Sequence, residues 1–335
     1  MIDKKRMSYI DVAKGIGILL VILGHCLAYG CQNQLFRCIY SFHMPLFFFL
    51  SGYVFHSKEA TVFFSGKLKA LLLPALFFQI INLMTYVAVV YGVGIAIGKN
   101  LAIYHGLISF GGFWFVITLL YVSSLFYVFY EKIVRIFAKK NWIMFCTALF
   151  LLVIGLIYAS SIADKPNEPI ATTMTAFFFY TVGVILNPKW TRIDSDLKSR
   201  TIAFFVGAVF LGLCFYLNGF SAVNVDFNTS RYGNKLLFVA TALTGSFAIF
   251  LISYAISKSR ILEWYGKNSL MLLFVHIPLW KSFDFVISHF TAMRGGCKSI
   301  VVFLITLLLS TLAVCFINRH IPFIAGQIVF PKTEE

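Results

Sequence analysis

Apolar runs of about twenty residues, separated by short polar and basic stretches, recur along almost the whole chain. A helix needs about 20 mainly apolar residues to cross a hydrocarbon core. Runs of that kind fall at roughly 13–31, 38–57, 70–97, 110–130, 141–162, 171–187, 201–219, 234–257, 268–290 and 299–318. The pattern therefore predicts an all-α, polytopic membrane protein of about ten transmembrane helices. The third run is longer than one span requires, which predicts a kink or a re-entrant end. The first is too long for the apolar segment of a signal peptide and lacks a convincing cleavage site, so it is expected to stay as the first helix. No internal repeat, low-complexity tract or long polar stretch interrupts the sequence. Residues 1–335 are expected to form a single membrane domain with no soluble appended domain.

Composition reinforces this picture. Hydrophobic residues make up 60% of the chain and charged residues 12%, with a mean hydropathy of +0.86. Soluble domains carry roughly 45–50% apolar and about 25% charged residues, so lipid must solvate much of this surface. The net charge of +15 would suit nucleic acid if the cations shared one soluble face. They are dispersed between apolar runs instead, so no nucleic-acid partner is expected. Placing the N-terminus inside puts 19 of the 28 Lys and Arg residues in inner segments and 7 in outer loops, with Lys14 and Lys281 inside helices. That asymmetry follows the positive-inside rule and predicts cytoplasmic N- and C-termini. The seven Cys show no metal-like spacing, so no metal site is expected. Cys31 and Cys38 flank an outer turn, where apolar packing competes with pairing in an oxidising compartment.

Candidate chemistry concentrates in the first two helices. Lys14 and His25 lie on one face of the first helix, separated along its axis by about 16 Å. Asp11, three residues before Lys14, can neutralise it. An ionisable residue in a spanning helix is costly to bury and is a functional candidate by default. For Lys14 the alternative is snorkelling to the inner interface; for His25 it is a hydrogen-bonded packing role. The second helix opens at SFHMPLFFFLSGYVF, residues 41–55, and runs back from the outer side. His43 then falls at the depth of His25, and two imidazoles at one depth can form a general-base site. Pro45 is expected in the first turn of that helix, and Ser51-Gly52 permits close helix packing.

Other residues offer weaker signals. Lys67 and Lys69 extend the cationic inner side. The segment 218–235 carries Asp226, Arg231, Tyr232 and Asn234, which suit a sugar or a plain solvated loop equally. Trp114 reads as an aromatic-belt anchor or a sugar-stacking ring. His276 is balanced between packing and site, and Lys281 with Asp284 is expected to form an i, i+3 pair.

The Lys-x10-His spacing, FHMPLFFFLSGYVF, GFWFVITLL (residues 112–120), VDFNTSRYGN (225–234) and YGKNSLMLLFVHIPL (265–279) appear in that order. Together they resemble the acyltransferase-3 family of membrane O-acyltransferases, in its fucose-4-O-acetylase-like and O-antigen O-acetyltransferase branch. The resemblance extends over nearly the entire chain. It implies transfer of an acetyl group from cytoplasmic acetyl-CoA, as co-substrate with no bound cofactor, to a hydroxyl of a glycan or glycolipid acceptor. It also implies a bacterial inner membrane as the setting. The family's Arg-x10-His carries its His onto His25 and its Arg onto Lys14, a departure that keeps the charge and loses the planar fork. Phe48 to Gly52 match its FFxxSG element, Trp114 its Trp-Phe position, and Ser269 with His276 its Ser-x6-His element. On this reading His25 deprotonates the acceptor or is transiently acetylated, with His43 assisting. Lys14, Asp11, Lys67 and Lys69 serve the donor. Trp114, Asp226, Arg231, Tyr232 and Asn234 serve the acceptor. The rival readings are a proton-coupled transporter or flippase of a polysaccharide precursor and a non-catalytic component of an export system.

Overall fold

The computed structural model describes residues 7–28, 33–87, 113–137, 140–161, 169–190, 196–221 and 224–321. Among them the chain is helical throughout, apart from turns and a two-residue bridge, Asp226 to Arg231. The helices are α1 (Ser8–Ala28), α2 (Gln34–Tyr53), α3 (Ala60–Lys67), α4 (Leu73–Val87), α5 (Phe113–Lys132), α6 (Lys140–Ser161), α7 (Pro169–Trp190), α8 (Leu197–Asn218), α9 (Lys235–Ile256), α10 (Arg260–Lys267), α11 (Ser269–Phe290) and α12 (Gly295–His320). Ten helical stretches among the described residues are long and apolar enough to cross a membrane. Each overlaps one of the ten expected runs. In the third, α3 and α4 join through a π-helical turn at Leu68–Leu72, where Leu73 N–H reaches back to the Leu68 carbonyl. Residues 88–97 lie outside the described residues.

The chain divides into two compact units. One comprises the residues up to Ser57 with Thr118–Ser269, the other Lys58–Ile117 with Leu270 onward. In the first unit α1 and α2 are central. Buried residues make up 67% and 72% of their apolar windows, against 22% for α8. Ile10 and Ala13 of α1, Phe42, Leu46 and Phe49 of α2, and Ile249 and Phe250 of α9 share one core. The outward face of α8 shows Ile202, Phe205 and Val209, a surface suited to acyl chains because its backbone bonds are satisfied within the helix.

Glycines set the closest contacts. A Cβ on Gly52 would lie 1.9 Å from the Tyr180 carbonyl oxygen, and one on Gly183 would lie 2.1 Å from that of Phe49. The seam between α2 and α7 thus needs glycine on both sides, as Ser51-Gly52 led us to expect. Pro45, by contrast, sits deep inside α2, because that helix begins at Gln34 rather than near Ser41. Asn33 starts it by accepting the Phe36 N–H at 3.0 Å, a cap that extends the helix upstream of the apolar run.

The first unit also contains α10, within a stretch the charge count treats as an inner loop. Eight residues long, it is capped by Ser259 and lies backbone to backbone on α1. A Cβ on Gly266 would fall 1.8 Å from the Asp11 carbonyl oxygen, and one on Gly15 would fall 2.1 Å from that of Leu262. Arg200 closes the end of α9 by donating to the Ala255 carbonyl at 2.8 and 3.0 Å.

In the second unit, Asp284 of α11 pairs with Lys298 of α12 at 2.7 Å, and Lys298 also donates to Ser288 Oγ at 3.1 Å. Two expectations change here. Asp284 takes Lys298 rather than Lys281 as the partner seen in its ion pair. Lys298 is a buried helical residue rather than an outer-loop cation, because a turn at Gly295 with φ of +60° starts α12 ahead of it.

Candidate active site between the first two helices

His25 occupies the last turn of α1, and α2 returns alongside with Phe36, Tyr40 and His43 on one face. Residues at i and i+3 or i+4 on a helix are neighbours, so these three rings follow one another down that face, tilted against each other. Phe36 and Tyr40 have centroids 4.2 Å apart, and Tyr40 and His43 4.9 Å. Tyr40 also reaches across to α1: its hydroxyl and His25 Nδ1 are 3.2 Å apart, with the rings edge to face at 6.0 Å. Which group donates depends on the imidazole tautomer. One tyrosine thus touches both histidines.

His43 is buried and half-fixed chemically. Its Nδ1–H donates to the Ile39 carbonyl at 2.8 Å, which leaves Nε2 as the ring's acceptor. His25 is only half-buried, so it is the more accessible imidazole. The opposite face of α2 holds a separate polar network. Asn218 of α8 donates to Ser41 Oγ at 3.1 Å and to the Cys214 carbonyl at 2.8 Å, and Cys38 Sγ lies 3.7 Å from Cys214 Sγ. Cys38 is a free thiol directed at Cys214. Cys31, its proposed partner, lies outside the described residues.

The other end of α1 carries Asp11, which is buried against α10, and Lys14, which is half-buried. The Tyr9 and Tyr53 hydroxyls meet there at 2.7 Å. Lys14 and His25 therefore mark the two ends of one face of one well-packed helix.

The loop residues expected to face an acceptor are more deeply involved in the loop itself. Asp226 and Arg231 bond to each other through their backbones at 2.8 and 2.9 Å, and the Asp226 carboxylate accepts the Asn228 N–H at 3.0 Å. The Arg231 side chain is exposed. Asn234 starts α9 by accepting the Leu237 N–H at 3.1 Å. Tyr232 turns inward and stacks on Phe238 at 4.5 Å. Burial pushes its hydroxyl up to about 12, with the nearby hydroxyls of Thr175, Ser230 and Thr172 acting the other way.

Lys67, Lys69, Trp114 and His276 belong to the second unit. Lys67 lies 5.8 Å over the Phe63 ring, Lys69 is exposed, and Trp114 is half-buried near the start of α5. His276 is fully buried and donates Nδ1–H to the Leu272 carbonyl at 2.8 Å. Ser269, the last residue of the first unit, opens α11. No group of three metal-ligating side chains occurs among the described residues.

Sequence reasoning missed Tyr40. Its signal was present, since it precedes His43 by three residues on a helix, but nothing in the sequence showed that the same ring reaches α1.

Against known proteins, residues 7–319 match a family model described as an acyltransferase domain. A stretch of 87 residues is 40% identical to the nodulation protein NolL of Mesorhizobium japonicum, covering 22% of this chain and 23% of that protein. The match thus spans less than a quarter of NolL's length. No solved structure matches. With the family match running from the start of α1 to the last turn of α12, and ten helices among the described residues long and apolar enough to cross a membrane, the chain belongs to this acyltransferase family.

Proposed function

We propose that this enzyme is an O-acetyltransferase. It moves an acetyl group from cytoplasmic acetyl-CoA to a hydroxyl of a cell-envelope glycan or lipid-linked saccharide, in a bacterial inner membrane with both termini cytoplasmic. The observation that carries this reading is the pairing of His25 with His43 through Tyr40 in a chain of an acyltransferase family.

In the reaction His25 acts as general base. Its neutral ring takes the proton of the acceptor hydroxyl as the oxygen attacks the thioester carbonyl. The C–S bond breaks, the CoA thiolate leaves, and the imidazolium returns its proton to that sulfur. His43 offers a second nitrogen lone pair to orient the acceptor. Lys14, at the far end of the same helix face, attracts the donor's phosphates as a point charge. Acceptor recognition is assigned to the exposed part of the 224–234 loop, above all Arg231.

Membranes containing the protein, incubated with labelled acetyl-CoA, test this directly. Alkali-labile label in the extracted glycan fraction, above a vector control, is the expected result. Correctly inserted protein that transfers no label would overturn it.

A further inference from the structure

We infer that Tyr40 is the positioning residue of His25, resting on the reading of His25 as the base. A general base needs a fixed ring and a known tautomer. His43 has both from the Ile39 carbonyl, within its own helix. His25 has the Tyr40 hydroxyl 3.2 Å from its Nδ1, a contact that comes from the neighbouring helix. If Nδ1–H donates to that oxygen, Nε2 carries the lone pair and is the nitrogen that accepts the substrate proton. The same bond persists once the ring is protonated, because an imidazolium donates from both nitrogens. Tyr40 therefore holds His25 through the whole cycle.

Its own placement is tightly determined. The ring is held between Phe36 and His43 on α2. On α1 it is seated at Gly24, where a Cβ would lie 3.0 Å from Tyr40 Cε2. The residue beside the base is thus a glycine that makes room for the tyrosine. An ordinary side chain at position 24 would push the ring away from Nδ1.

The test is Tyr40→Phe in the full chain, reconstituted in lipid nanodiscs, with labelled acetyl-CoA. This variant keeps the stacked ring and removes only the hydroxyl. The expected result is a kcat lower by on the order of 10–100-fold, the range typical of losing a partner that orients a functional imidazole, with the KM for acetyl-CoA and the melting temperature essentially unchanged. Gly24→Ala, which keeps the hydroxyl and displaces the ring, should lower kcat as well. A Tyr40→Phe enzyme with wild-type kcat overturns the inference. So does a loss confined to KM, or one matched by a falling melting temperature. If the wild-type protein itself transfers no label, the proposed function fails rather than this relationship. Nitrogen NMR of labelled histidine then decides the latter: unchanged His25 nitrogen resonances in Tyr40→Phe would overturn it.

Discussion

Gly52 of α2 and Tyr180 of α7 stand backbone to backbone, so close that a Cβ on the glycine would fall 1.9 Å from the tyrosine's carbonyl oxygen. The obstacle is main chain, which cannot rotate away. Gly52→Ala should therefore force α2 and α7 apart and cost about 1–3 kcal/mol or more, as overpacking does. Thermal unfolding in detergent would show a lowered midpoint. Gly66, which has open space where a Cβ would go, should accept alanine with little change in the same measurement.

His25→Ala should reduce acetyl transfer by on the order of 10²–10⁴-fold, the range that a positioned general base supplies. Insertion and melting should stay normal. Lys14→Ala should abolish activity, whereas Lys14→Arg should keep or raise it, since the planar fork binds phosphate in two places. The labelled-glycan assay checks all three. Full activity in His25→Ala would remove it from the mechanism.

Lys298→Ala leaves the half-buried Asp284 carboxylate without the cation seen beside it. Breaking a buried pair from one side costs about 3–5 kcal/mol, so this variant should express poorly or melt early. Removing both charges, in Lys298→Met with Asp284→Asn, should recover most of the loss. Comparing the melting midpoints of the two variants is the measurement.

Tyr232 makes stability depend on alkaline pH. Its folded hydroxyl is pushed up to about 12 by burial, from an ordinary value of 10.0. The folded state therefore holds its proton where the unfolded state has begun to lose it. The stabilisation is complete below pH 10 and is lost as pH rises toward 12. Tyr232→Phe should flatten that part of a stability profile measured between pH 9 and pH 12, within this alkaline window. An unchanged slope would mean that Tyr232 does not cause it.

The ten helices were legible because twenty apolar residues in a row leave the backbone few alternatives in lipid. His25 and His43 were legible for a related reason, since a polar ring in such a run needs an explanation. The partners of charged and polar groups were not. Asp284 took Lys298 from the next helix over the Lys281 three residues away, and that choice depends on where α12 starts, which a glycine with positive φ sets. Tyr40 looked like one aromatic among many until α1 came alongside. Tyr232, expected to offer its face to a sugar, stacks inside its own loop because Phe238 on α9 gives it a better-buried surface. The helix α10 was hidden by its brevity. Its eight residues cannot span, and Gly266 reads as a turn signal until the Asp11 backbone is found against it.

The pair between Asp284 and Lys298 has a consequence for how the chain enters the membrane. Each of α11 and α12 carries a charge that is expensive to leave alone in hydrocarbon, and the two helices are joined by a short turn. Inserted one at a time, either would wait in lipid with its charge exposed. Threaded together as a hairpin, they neutralise each other on arrival. Insertion of α11 and α12 as a pair is therefore the expectation, with each charge meeting its partner before it meets lipid alone.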